Sequence, residues 1–279
     1  MKYSTILKDG RIAICSYKTI NIYNEKTYQI DLVIKLHDDD VYCLIELSSG
    51  IFASCSADKT IKLFSVSNNN YKLKQTLNDH SNWIFKIIEL NNKSLVSGSS
   101  DHTIIFYNKD NNQYMKDYQL KCKNDSQCAN IIQTKENEIA YKEYDNNLIC
   151  FYDFFERKII TEINNIHISN IRSFIMIAKD LLLITGREIL YIINVNSHNV
   201  VRTINVPNSV NMNCNACLLN KNFVLTGDYY GRIRQWRIVK NNLKLFSTKE
   251  KVHQRIDILL RLGKGYILSG VYGEIKIWK

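Results

Sequence analysis

An all-β fold assembled from seven copies of one four-stranded antiparallel unit is what this sequence predicts, and three observations predict it. Helical periodicity is nearly absent: short apolar runs alternate with polar residues and stop at SSG, NN, KD or DG, as many short strands do. One hairpin-like segment recurs seven times, its last anchor falling at Tyr23, Phe64, Tyr107, Tyr152, Ile193, Trp236 and Trp278, at spacings of 41, 43, 45, 41, 43 and 42 residues. That period matches the roughly 40 to 45 residues of a four-stranded propeller blade. One proline and ten glycines in 279 residues leave no interdomain linker, so the chain reads as a single seven-bladed β-propeller.

The elements follow in order. Blade 1 takes residues 1–37, with residues 1–8 as its first strand and RIAICSYKTINIYN as its hairpin. Blade 2 (38–80) divides into VYCLIEL, IFASCS, TIKLFSV and YKLKQTL, the clearest four-strand set. Blade 3 (81–124) carries SLVSGSSDHTIIFYN, blade 4 (125–167) EIAYKEYDNNLICFYD, blade 5 (168–207) LLITGREILYIIN and blade 6 (208–253) FVLTGDYYGRIRQWR. Blade 7 (254–279) carries YILSGVYGEIKIWK and stops at the end of a third strand. Either this last blade is three-stranded with an open edge, or the sequence is a fragment of a longer protein, and the second reading is preferred. Each short sheet has apolar faces it cannot bury alone, so blades must stack on their neighbours.

The segments SGSSDHTIIFYN, SCSADKTIKLF and TGDYYGRIRQW, with His37, His80, His167 and His253 ahead of first strands, resemble the WD-repeat family of β-propellers. The Trp-Asp pair is never intact, its positions reading YN, FS, YN, YD, IN, WR and WK, which marks a divergent member. The resemblance implies a buried hydrogen-bonded network in each regular blade: His37, Ser54 and Asp58, cut short at Phe64, and His80, Ser97, Asp101 and Tyr107. Blade 6 keeps Thr226 with Trp236, and blade 7 keeps His253 and Ser269 with Trp278, both without the turn aspartate. The stretch Ser99, Ser100, Asp101, His102 therefore reads as architecture. A reaction centre occurs once and is recognised by geometry, whereas this pattern recurs in a second blade. His102 aligns with Lys59 as a solvated turn residue, and Cys15 and Cys55 align with Gly98, Gly186, Gly227 and Gly270, where a small side chain fits.

Metal and cofactor chemistry find no support. CNAC (Cys214, Cys217) has no second CxxC and no nearby histidine, GKG at 263–265 lacks the rest of a phosphate loop, and neither GxGxxG nor HExxH occurs. No enzyme activity, metal or cofactor is expected. Residues 1–10 lack the apolar core of a secretory signal, and the most apolar stretch, SFIMIAKDLLLIT, is broken by Lys179 and Asp180. The expected location is the cytoplasm, with the nucleus as the other option, and the eight cysteines are expected reduced.

Charge and the family's binding face carry the functional expectation. The net charge of +10 lies wholly after residue 167, where 17 Lys and Arg face 6 Asp and Glu. Its densest part holds Arg232, Arg234, Arg237, Lys240 and Lys244, a surface suited to an acidic or phosphate-bearing partner. The family binds partners on loops before first strands and turns after second strands. This implies Asp38, Asp40, Ser81, Trp83, Tyr144, Ile168, Asn170, Arg187, Tyr229, Tyr230, Arg255 and Tyr272 as contact residues. Trp, Tyr and Arg are the types enriched at interface hot spots. The expectation is a non-catalytic scaffold or adaptor, a monomeric propeller within a larger complex, whose protein or peptide partner is acidic. The alternative is an RNA-binding propeller using the basic surface of blades 5 to 7. A membrane partner is disfavoured because the paired-arginine FRRG motif of phosphoinositide-binding relatives does not occur.

Overall fold

A computed structural model describes residues 3–67, 69–145, 148–164, 171, 173–186, 188–206, 216–250, 252–254, 256–262, 266–271 and 274–278. Seven antiparallel sheets occupy them, and six have four strands in simple up-and-down order. The first is β1–β4 (Tyr3–Ile6, Ile12–Ser16, Thr19–Tyr23, Ile30–Ile34) and the second β5–β8 (Val41–Glu46, Phe52–Ser56, Ile61–Ser67, Asn70–Leu77). The third is β9–β12 (Ile84–Glu89, Leu95–Ser99, Thr103–Asp110, Gln113–Lys121) and the fourth β13–β16 (Cys128–Lys135, Glu138–Glu143, Leu148–Asp153, Lys158–Ile163). The fifth is β17–β20 (Ser173–Ala178, Leu181–Thr185, Ile189–Asn194, Asn199–Asn205) and the sixth β21–β24 (Cys217–Asn220, Phe223–Gly227, Ile233–Val239, Asn242–Lys249). The last, β25–β27 (Ile258–Arg261, Ile267–Val271, Glu274–Trp278), has three strands among the described residues, as the sequence expectation allowed. A single 3-10 turn, Lys123–Asp125, is the one helical element described.

The chain clusters into two compact units, one of residues 2–136 with 141–146, the other mainly of 137–140 with 147–279, the boundary running through β14. In the first unit, opposite faces of one sheet feed different cores. Cys43, Ala53, Cys55 and Leu63 pack towards Ile84, Ile87, Leu95, Ile105 and Tyr107. Their strand neighbours Leu44, Phe52 and Phe64 pack towards Ala13, Cys15, Ile20 and Ile22. A strand buried on both faces needs no polar alternation, which is why FASCS and LVSGS are buried at every position. The second unit repeats the scheme: Leu183, Leu190 and Ile192 pack against Val224 and Trp236, and Leu225 and Ile233 against Ile256 and Leu259.

The anchors found by spacing share a structural cause. In all six four-stranded sheets the third and fourth strands slip register at the anchor: at Tyr23, Phe64, Tyr107, Tyr152, Ile193 and Trp236. Phe64 pairs Leu73 while Leu63 pairs Gln75, leaving Lys74 as the extra residue. A bulge bends its strand and tightens the local twist. The recurring aromatic or Ile marks the corner at which each outer strand turns.

Candidate functional site

In the second and third sheets the histidine, serine and aspartate come together, but the Tyr107 hydroxyl that the resemblance adds to the second set has no hydrogen-bond partner. His37 Nδ1 lies 2.8 Å from Asp58 Oδ2, and His37 Nε2 2.8 Å from Ser54 Oγ. An ionised carboxylate only accepts, so Nδ1 carries a proton and donates to Asp58, and the Ser54 hydroxyl closes the set at Nε2. Asp58 also accepts from Thr60 Oγ1 (2.7 Å), the Thr60 amide (3.0 Å) and the Asp38 amide (3.1 Å). One blade on, His80 meets Asp101 and Ser97 at 2.7 Å each, and Asp101 accepts from Thr103 Oγ1 at 2.6 Å and from the Ser81 amide at 2.9 Å. Burial acts to raise both aspartates, but the histidine and threonine hydrogen bonds outweigh it and hold each carboxyl well below the usual range. Burial raises the Tyr107 hydroxyl, which lies outside the hydrogen-bonded set.

Ser97, His80 and Asp101 thus have the hydrogen-bond order of a hydrolase triad, but Ser97 is wholly buried in β10 and the arrangement is copied at Ser54. Ser99 and Ser100 are buried too. The Ser99 hydroxyl donates to the Trp83 carbonyl at 2.9 Å and accepts the Asp101 amide at 3.0 Å. The trio ties loops together.

The sixth and seventh sheets shorten the network. Trp236 Nε1 donates to Thr226 Oγ1 at 2.9 Å, Trp278 Nε1 to Ser269 Oγ at 2.7 Å, and His253 Nε2 lies 2.8 Å from Ser269 Oγ. Asp228, which repeat alignment does not single out, is fully buried just after β22. It accepts from Arg232 Nε and Arg234 NH1 at 2.7 Å each, and from the amides of Tyr230 and Arg232. Its signal in sequence is one acid facing two arginines across a hairpin turn, Asp228 to Arg232 and Arg234. Arg234 is consequently buried and its charge spent inside the protein, whereas Arg237, Lys240 and Lys244 are exposed. Arg237 and Lys244 are cross-strand partners, and beside them Leu245 and Phe246 are exposed, Phe246 being the bulged residue of β24.

Of the proposed contact residues in the first unit, Asp38 and Ser81 are exposed, Asp40 is half-buried, Trp83 is 47% exposed and Tyr144 37%. Two aromatics that the sequence reading did not pick out join Trp83: Tyr42, with ring centres 6.3 Å from Trp83 and 5.4 Å from Phe85. Tyr42 is the extra residue of a bulge between β5 and β6, and Phe85 is the extra residue between β9 and β10. Tyr17, also exposed, accepts the Val41 amide through its carbonyl and so borders the same loops. In the second unit Tyr229 and Tyr230 are exposed and edge-on at 6.2 Å, with the Arg232 guanidinium 5.2 Å above the Tyr230 ring. His167, Ile168, Asn170, Arg187, Arg255 and Tyr272 lie outside the described residues, as do Cys214 and the GKG segment.

One further cluster was not legible from spacing. Lys86 is half-buried, its ammonium 4.8 Å from the centre of the Tyr3 ring and beside the thiols of Cys43 and Cys55. Burial acts to raise the Cys43 thiol, but its hydrogen bond with Cys55 and the Lys86 charge lower it to about 6. Among the described residues no three metal-binding side chains gather, and no helix is long and apolar enough to cross a membrane.

Comparison with known proteins agrees with this architecture. The family model "WD domain, G-beta repeat" matches residues 30–65 and 71–108, each running from the outer strand of one sheet to the third strand of the next. No curated protein matches the chain. Among 1532 matching solved chains, one from the crystal structure of a mitotic checkpoint complex superposes with a TM-score of 0.84 at 12% identity. That likeness covers 100% of this chain and 86% of the other. So widely shared a fold names no partner. Two segments of the chain are thus similar to WD repeats, and the other sheets, spaced and ordered alike, continue the same β-propeller fold.

Proposed function

We propose that the protein is a non-catalytic scaffold that holds a protein or peptide partner on the loops before its first strands and the turns after its second strands. The observation that carries this reading is the division of labour among polar groups: the Ser-His-Asp sets are buried and satisfied, while large aromatics stand exposed in the adjoining loops. Trp83, Tyr144, Tyr229 and Tyr230 are of the types that anchor interfaces. The similar chain in a mitotic checkpoint complex is itself part of an assembly, in keeping with a scaffold.

An acidic segment of the partner is assigned to Arg237, Lys240 and Lys244, whose exposed cations flank the apolar Leu245 and Phe246. Asn170, Arg187, Arg255 and Tyr272 remain part of the proposed face on the strength of repeat position. The described cysteines, buried and outside any disulfide, support a reducing compartment, cytoplasm or nucleus. The test is recovery of bound proteins by the wild type, by Trp83→Ala and by Arg237→Glu with Lys244→Glu. Each variant should lose partners that the wild type holds. Full retention by both would sink the reading. The RNA alternative, which also rests on Arg237, Lys240 and Lys244, requires an affinity for single-stranded RNA that falls steeply with salt.

A further inference from the structure

We propose that the bulge-aimed aromatic cluster Tyr42, Trp83 and Phe85, with the run Asp38-Asp39-Asp40, is a docking site for a lysine or arginine side chain of a basic peptide segment. The inference rests on the scaffold reading and gives a partner chemistry to its first unit.

The two bulges are the starting point. Among the first strands whose pairing is described, those of the second and third sheets carry an extra residue at the start of the strand, and in both it is aromatic. A bulge re-aims the side chain it inserts, and such devices concentrate where a side chain must point at something other than the core. Here they bring two rings to 5.4 Å, with Trp83 at 6.3 Å from the nearer one. The planes are inclined by 57° and 45°, so the three rings form an open corner and not a closed stack. Phe85 and Tyr42 are half-buried and Trp83 half-exposed, leaving π-faces that a ligand can reach.

Charge then selects the occupant. Asp40 and Trp83 stand at equivalent places in consecutive blades: their carbonyls accept the amides of Ala57 and Ser100, the residues that follow β6 and β10. The aspartate run leads by one residue, Val41, into Tyr42, the ring that joins Trp83 and Phe85. The segments leading into these two strands, His37 to Val41 and Asn78 to Trp83, contain four aspartates and no lysine or arginine. Asp38 and Asp39 are exposed. Aromatic faces with adjacent carboxylates attract a cation through the ring quadrupole and the long-range field together, and repel an acidic segment. A lysine or arginine fits further because its methylene stem can lie on the Trp83 ring while its head reaches the carboxylates.

The experiment titrates the full chain with a blocked peptide bearing three lysines among glycine and serine, and with versions bearing glutamine or glutamate at those places. Tryptophan emission reports binding, because Trp83 is the exposed one of the three tryptophans while Trp236 is buried and Trp278 half-buried. Calorimetry follows the variants that remove the reporter. The lysine peptide should bind roughly ten-fold tighter than the glutamine peptide, and the glutamate peptide weakest of all. Tyr42→Ala and Trp83→Ala should each lose roughly ten-fold, Trp83→Phe about three-fold or less, and Asp38→Asn with Asp40→Asn several-fold along with most of the salt dependence. Thermal melts matching the wild type separate a lost site from a lost fold. Equal affinity for the lysine and glutamine peptides, with both weakened by Trp83→Ala, would overturn the cation preference and leave the docking face intact. Lysine-peptide binding untouched by Tyr42→Ala and Trp83→Ala, together with full partner retention in the recovery test, would overturn both.

Discussion

Asp58 and Asp101 show how a single residue's protonation is written into the fold. Each is depressed by hydrogen bonds it makes only when folded, so its contribution to stability is fully present above the unfolded value near pH 4 and is lost as pH falls towards the folded value. Asp101→Asn should therefore cost about 1–3 kcal/mol at pH 7 by urea unfolding, and the gap to wild type should narrow steadily below about pH 4; a gap constant down to pH 2.5 would contradict the assignment. Asp228 presents the opposite hazard, since its removal strands Arg234 inside the protein. Asp228→Ala is expected to cost about 3–5 kcal/mol, with much of it recovered by adding Arg234→Leu. The histidine networks were legible in sequence because His-to-Asp separation is the same 21 residues in both blades. Asp228 was not, because it stands two positions ahead of the aligned turn residue and serves arginines in place of a histidine.

At the scale of strands and turns, the recurring bulge explains both what spacing revealed and what it hid. The anchors were visible as a period, yet the extra residue opposite each is an ordinary Lys, Asp, Ile, Val or Phe with no sequence mark. Deleting Lys74 would let Leu73 and Gln75 follow one another opposite Phe64 and Leu63, so every cross-strand pair could persist while the bend and extra twist at the corner are lost. The deletion should cost several kcal/mol, whereas Lys74→Ala, on an exposed site, should stay within about 0.5 kcal/mol in the same melt. Tyr42 and Phe85 escaped the sequence reading for the same reason: strict alternation cannot place a residue that belongs to neither face. Turns offer a sharper contrast. Gly231 has φ +75°, and a Cβ there would sit 1.7 Å from the His253 carbonyl oxygen, while Gly50 has φ +81° with nothing within 4 Å. Gly50→Ala should cost about 1 kcal/mol from backbone strain alone; Gly231→Ala should cost several-fold more or prevent folding, because Gly231 also accepts the Val252 amide and cannot retreat. Equal losses at the two sites would show that the close approach is not real.

For the whole molecule, the seven-fold series was legible because each sheet repeats one length and one corner. The three-stranded last sheet was foreseen as one of two options for the same reason. The functional surface was only partly legible: Trp83, Tyr229 and Tyr230 were placed in exposed loops by repeat position, but the net charge overstated the basic surface because Arg232 and Arg234 share Asp228. A charge count cannot tell an internal counter-ion from a surface one. A global consequence follows for salt: binding through Arg237, Lys240 and Lys244 should weaken with ionic strength with a slope set by three cations, and a slope demanding five would restore the arginines to the surface.

The cysteine thiols lend themselves to a use beyond packing. Cys15, Cys43, Cys55, Cys122, Cys128, Cys150 and Cys217 are all buried, and they are distributed through both compact units. Brief alkylation pulses read by mass spectrometry therefore supply a clock with a hand in most sheets: in a native protein none should label quickly, and under mild denaturant the order of labelling records which blades open first. Simultaneous labelling would mean that the two units melt as one cooperative body, and staggered labelling that each keeps its own threshold.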